Sequence, residues 1–232
     1  MSANLGSEHL NAATALKSAI SKATRKAVEP EPRWPGLLAL MAGACLHFAL
    51  PSRLSVGPDW ALPTLMALLV IPITAWHRRG FYKLARALTF VATGALTLAL
   101  IVSLALLIKG LPSHRDTPES LLHSASVLWI TNILVFALWY WKLDAGGPVG
   151  RDNRQGPVDS SFLFPQLCRQ QPDPNWSPEF LDYLFVAFNT STAFSPTDTA
   201  VLDHWAKILT MLQSMISLSV LVVLAARAIN VL

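Results

Sequence analysis

Asn189, Thr190, Ser191 and Thr192 are four consecutive hydrogen-bonding residues in a chain that otherwise avoids water. Four in a row cover every face of a helix, so a single polar stripe cannot account for them. In hydrocarbon each needs an internal partner or a water-filled cavity. Ser195-Pro196-Thr197-Asp198 follows closely, and it reads as a turn: Ser195 suits a helix cap, Pro196 the first helical position, and Asp198 a variant of the capping box. Further on, Gln213 and Ser217 recur at four-residue spacing with Leu221. Neutral oxygens and amides of this kind suit a narrow wet path for inorganic cations, with Asp198 as an acidic residue at its mouth. They suit equally well the hydrogen bonds that hold helices together in lipid. Catalytic chemistry has no comparable signal. The sequence carries no Cys-x-x-Cys, no His-Glu-x-x-His, no phosphate loop and no nucleophile elbow. His47 stands alone inside an apolar run, with no second residue placed to share a haem. No enzyme activity, metal or cofactor is expected.

The elements that must position these residues are membrane helices. Apolar residues make up 53% of the chain and charged ones only 14%, and the charges are excluded from runs of membrane-span length. Four such runs precede the polar segment: Pro35–Leu50, Trp60–Trp76, Ala87–Ile108 and Leu121–Trp141. A last one covers about Trp205–Leu232. Residues 1–33 form a basic tail, expected to be partly disordered or to lie as a surface helix, with no secretory signal. Residues 142–177, rich in Pro and Gly, read as an irregular extramembrane loop. Within it Phe162, Phe164 and Pro165 form an apolar patch suited to packing on the bundle or the membrane surface. Ser177 and Pro178 suit the start of a helix running to about Phe194. The net charge of +4 reflects Lys and Arg beside apolar runs, where they set topology; nucleic-acid binding is not implied. Two cysteines, one in a span and one in a loop, do not suggest a disulfide.

From Asp182-Tyr183-Leu184-Phe185 through Asp198, and on through 205–226, the sequence resembles the pore helix, filter and inner helix of small potassium-type channels. Phe188, Thr190, Thr192 and Asp198 fall on matching positions. Ser195 and Thr197 replace both filter glycines, and Pro196, with its fixed φ, replaces the aromatic between them. The chain is also similar to a group of bacterial integral membrane proteins through Phe162–Gln166 and Thr192–Thr199. That likeness implies a bacterial inner membrane and no particular activity.

The expected fold is therefore all-α: a polytopic transmembrane bundle of five or six membrane segments, one of them short, polar and either spanning or re-entrant. The leading functional expectation is a homo-oligomeric, cation-permeable protein lined by Asn189, Thr190, Ser191, Thr192, Ser195, Thr197, Asp198, Gln213 and Ser217. The alternative is a non-conducting scaffold, partner subunit or small-molecule binder. Charge bias favours a cytoplasmic N-terminus and a short spanning helix, with the Ser195–Thr199 turn on the outer side.

Overall fold

The structure, a computed structural model, describes residues 31–55, 57–110, 117–154, 158–170, 176–192 and 198–229. The helices are α1 (Trp34–Phe48), α2 (Ala61–Arg78), α3 (Tyr82–Gly110), α4 (Pro118–Leu143), α5 (Gly147–Asp152), α6 (Phe180–Thr192) and α7 (His204–Ile229). Four of them, α2, α3, α4 and α7, are long and apolar enough to cross a membrane, while α1 is apolar but shorter. The all-α expectation holds, and the helix limits fall within a few residues of the apolar runs. The only strands among the described residues are two short ones, β1 (Phe162–Leu163) and β2 (Ala200–Val201).

Local chemistry explains the elements. Pro118 opens α4 behind Thr117, whose side chain accepts the Ser120 amide at 3.3 Å. On α3, the hydroxyls of Thr89, Thr93 and Thr97 each donate to the carbonyl four residues back, which hides a polar ladder inside an apolar helix. The α6 helix begins at Phe180, two residues later than Pro178 suggests. There the Asp182 carboxylate accepts the Glu179 amide at 2.7 Å and so does the capping that Ser177 seemed placed to do.

The centre of the bundle is α4. It packs against α1, α3, α6 and α7 and is buried along most of its length. Close approach depends on small residues. A Cβ on Gly36 would lie 2.4 Å from the Trp141 ring, so α1 meets α4 only because that position is glycine.

Residues 142–177 are less irregular than their composition suggests. Ala145, Gly146 and Gly147 take positive φ angles of 49°, 78° and 77°, which turn the chain sharply back after α4. A side chain at Gly147 would also meet the Lys142 carbonyl at 2.7 Å. The short α5 therefore folds onto the end of α4, and Phe162 and Phe164 are buried while Pro165 stays exposed. Docking begins earlier too. Glu31, assigned to the tail on sequence, is buried against α4 and α5; residues 1–30 of that tail lie outside the described residues.

The path of α6 is the main departure from a simple up-and-down bundle. Its first turns meet the C-terminal end of α4, where Tyr183 donates to Asp144 at 2.5 Å. Its last turn meets Asn132, twelve residues or about 18 Å earlier along α4. The chain is then back at its starting end by β2. Val201 pairs with Phe162, Ala200 pairs with Leu163, and the Ser161 hydroxyl donates to Asp203 at 2.5 Å. Both ends of this excursion thus sit beside Asp144 and Arg151, at the end of the bundle that also holds Arg33 and Arg78. The spanning alternative for the polar helix would put the residues after it on the face opposite the 142–177 segment, whereas the β1–β2 pairing holds Ala200 and Val201 beside Phe162 and Leu163.

Candidate functional site

Three of the singled-out residues converge inside the bundle. The Gln213 side-chain amide, on α7, donates to the Ala187 carbonyl and to the Ser191 hydroxyl, both on α6 and both at 2.6 Å. Its carbonyl oxygen accepts the Tyr140 hydroxyl at 2.5 Å. The Asn132 amide reaches Ser217 Oγ at 2.9 Å and the Gln213 backbone carbonyl at 3.2 Å. Asn132, Tyr140, Ser191 and Gln213 are fully buried, and Ser217 is 2% exposed. Uncharged donors and acceptors on three helices therefore close on one another within one chain. Within this cluster Asn132 Oδ1 is left without a hydrogen-bond partner.

Helical spacing explains the sorting. On α6, Phe180, Tyr183, Val186, Ala187 and Ser191 form the inward face. Asn189, Thr190 and Thr192 fall beside it and are half-buried. The Thr190 hydroxyl donates to the Val186 carbonyl at 2.8 Å and that of Thr192 to the Asn189 carbonyl at 3.0 Å, so both are satisfied by their own helix. Asp198 is exposed, and Ser195 and Thr197 lie outside the described residues. On α7, Gln213 and Ser217 face inward with Ile216 and Val220, while Met211, Met215, Leu218 and Val222 face out.

A second cluster closes the same end of the bundle. Arg151 donates through Nε and Nη2 to Glu31 Oε2 at 3.0 and 2.8 Å, and through Nη1 to the Asp144 and Trp141 carbonyls at 2.9 and 3.1 Å. The Trp141 indole donates to the other Glu31 oxygen. Asp144 accepts the Ser161 amide and the Ser160 hydroxyl, each at 2.6 Å, together with the Tyr183 hydroxyl. Burial pushes the Glu31 carboxyl above its ordinary value, and the Arg151 charge works against that rise. Phe162 sits at the middle of the aromatic packing, against Tyr140, Phe164, Tyr183 and Trp205.

Sequence reasoning missed several of these groups. Asn132 is a lone amide amid the apolar residues of α4, and that isolation was the available signal. Tyr140 lies at the end of the fourth apolar run, and Glu31, Asp144 and Arg151 fall within the segments read as tail and loop. Among the described residues no group of three His, Cys, Asp or Glu side chains is arranged to hold a metal ion. The chain matches no protein-family model, no curated protein and no solved structure.

Proposed function

We propose that the protein is a non-conducting multi-pass protein of the bacterial inner membrane, acting as a scaffold or binding subunit. The observation that carries this reading is the closed set Asn132–Tyr140–Ser191–Gln213–Ser217. Side chains that would line a pore spend most of their hydrogen bonds on one another inside a single chain, and one buried oxygen, Asn132 Oδ1, is too few to replace the hydration shell of an ion. In lipid such a set is interhelical glue.

On this reading α1, α2, α3, α4 and α7 span the membrane and α6 is re-entrant. Thirteen residues rise only about 20 Å, short of a bilayer core of about 30 Å. The end to which α6 returns carries Arg33, Arg78, Arg79, Lys83, Arg86, Arg151 and Arg154, and the opposite end carries Arg53 and Lys109. That bias makes the basic end cytoplasmic, so α6 enters from the cytoplasm and Asp198 faces it. A potassium-type loop enters from the outside.

The second reading, a cation-permeable homo-oligomer, draws on layout: a short helix inward, a return, then a long helix. Planar-bilayer recording of the purified full chain separates the two. The proposal expects no cation conductance above protein-free bilayers. Unitary cation currents that disappear on Ser191→Ala would overturn it and favour the pore.

A further inference from the structure

We infer that the cavity between α1, α2, α3 and the α4–α5 corner binds an anionic amphiphile: an acyl chain bearing a phosphate or carboxylate head. The site is separate from the polar cluster, and it does not depend on whether the protein conducts. The cavity encloses about 120 Å³. Its walls are Leu37 and Leu40 of α1, Ile73 of α2 and Phe90 of α3, which suit a hydrocarbon chain and leave a sugar or base without partners.

Cations complete the lining. Lys142, 6% exposed, ends α4 in the cavity wall, and its ammonium donates to the Thr89 carbonyl at 3.1 Å and to the Thr93 hydroxyl. Among the described residues no carboxylate forms an ion pair with it. The neighbouring arginines differ in this respect: Arg33 is paired with Asp152, and Arg151 with Glu31. Arg86 supplies a second cation. It is exposed, it lies over the Phe90 ring at 5.6 Å, and among the described residues it too has no ion-pair partner. The Arg86 guanidinium faces an apolar cavity without a counter-ion among the described residues, and the buried Lys142 nitrogen is a second basic group that a bound anion would hold in its charged form.

Position narrows the ligand further. The cavity lies at the basic end of the bundle and is bounded by three apolar helices. An amphiphile in the adjoining leaflet would insert its chain along Leu37, Leu40 and Ile73 and bring its head to Lys142 and Arg86. Basic pockets between membrane helices recognise anionic head groups in this way.

Native mass spectrometry of the full chain in a neutral maltoside detergent tests the site, with phosphatidylglycerol, oleate and phosphatidylcholine added at equal concentration. The expected result is retention of phosphatidylglycerol, oleate or both, about tenfold over phosphatidylcholine, the ratio equivalent to about 1.4 kcal/mol. Preference for phosphatidylglycerol identifies a phospholipid head, preference for oleate a free acid, and equal retention a site that reads charge alone. Lys142→Met and Arg86→Gln should each lower anionic retention about tenfold by removing one charge-assisted contact. Arg86 is exposed, so its variant keeps the test decisive if Lys142→Met fails to fold. Equal retention of phosphatidylcholine, or anionic retention unchanged in Arg86→Gln and in folded Lys142→Met, overturns the proposal.

Discussion

The Tyr140 hydroxyl of α4 donates to Gln213 Oε1 of α7 across 2.5 Å, at a point where neither residue touches solvent. This bond joins the central helix to the last one and fixes which face of α7 turns inward. Because Gln213 also holds α6 through Ala187 and Ser191, one side chain sets the register of three helices.

Removing that side chain should therefore cost more than one hydrogen bond. Gln213→Leu leaves the Tyr140 and Ser191 hydroxyls buried without this partner. Interhelical hydrogen bonds in membrane proteins contribute about 0.6 kcal/mol on average and up to about 1.7. A double-mutant cycle with Tyr140→Phe, read by unfolding in detergent, should give a coupling energy near the upper figure. Additive single effects would mean that the bond contributes nothing.

How far this arrangement was legible in the sequence depends on the range of the signal. The α1, α2, α3, α4 and α7 helices announce themselves as uninterrupted apolar runs, and the polar break at Asn189–Thr192 is equally plain. Which of those four residues turns inward was not legible, because only the packing of α6 on α4 selects Ser191. The Glu31–Arg151 pair joins residues 120 positions apart, and local composition says nothing about such a contact. Proline and glycine suggested a loop at 142–177. What they encode is a tight left-handed turn at 145–147 that brings α5 back to α4.

That ion pair gives a second prediction. The Arg151 side chain is fully buried and that of Glu31 is 4% exposed. Arg151→Met strands the Glu31 carboxylate, and removing one partner of a buried pair costs about 3–5 kcal/mol. Adding Glu31→Gln should restore part of that loss. Recovery stays incomplete, because Arg151 also serves the Trp141 and Asp144 carbonyls. Melting temperatures should rise from Arg151→Met, through the double variant, to the wild type.

The same carboxyl predicts a pH dependence. Burial raises Glu31 above its ordinary value of 4.5, so the native state holds its proton more tightly than the unfolded chain does. Its contribution is complete below 4.5 and is lost as pH rises through the raised value. Melting curves of the wild type and of Glu31→Gln, taken in steps upward from about pH 4, isolate the effect. The wild type should show a downward step that the variant lacks; parallel curves would exclude it.

Two glycines of α1 should respond differently to the same substitution. A Cβ at Gly36 meets the Trp141 ring at 2.4 Å, and that ring is fixed by its hydrogen bond to Glu31 and by edge contact with Phe180. A Cβ at Gly43 meets only the Leu96 methyl, at 2.8 Å, which can rotate away. Gly36→Ala should destabilise by about 1–3 kcal/mol through overpacking. Gly43→Ala should be near neutral, since it gains up to about 1 kcal/mol of helix propensity. Equal melting temperatures would show that α1 does not need its close approach to Trp141.

The proposed re-entrance of α6 can be tested by accessibility. If α6 enters and leaves at the basic end, Asp198 and Ser55 lie on opposite faces of the membrane. Asp198 follows the return from α6, whereas Ser55 follows the turn after α1 at the far end. Both native cysteines, Cys45 and Cys168, are free and exposed, so each is first replaced by serine. A single cysteine is then introduced as Ser55→Cys or Asp198→Cys, and intact cells with a permeabilised outer membrane receive an impermeant maleimide. The Ser55 position should label at once, and the Asp198 position only after the inner membrane is opened. Labelling of both from outside would mean that α6 crosses, since a sixth crossing carries Asp198 to the face that holds Ser55. The β1–β2 pairing argues for the first outcome, because Val201 cannot pair with Phe162 across a bilayer.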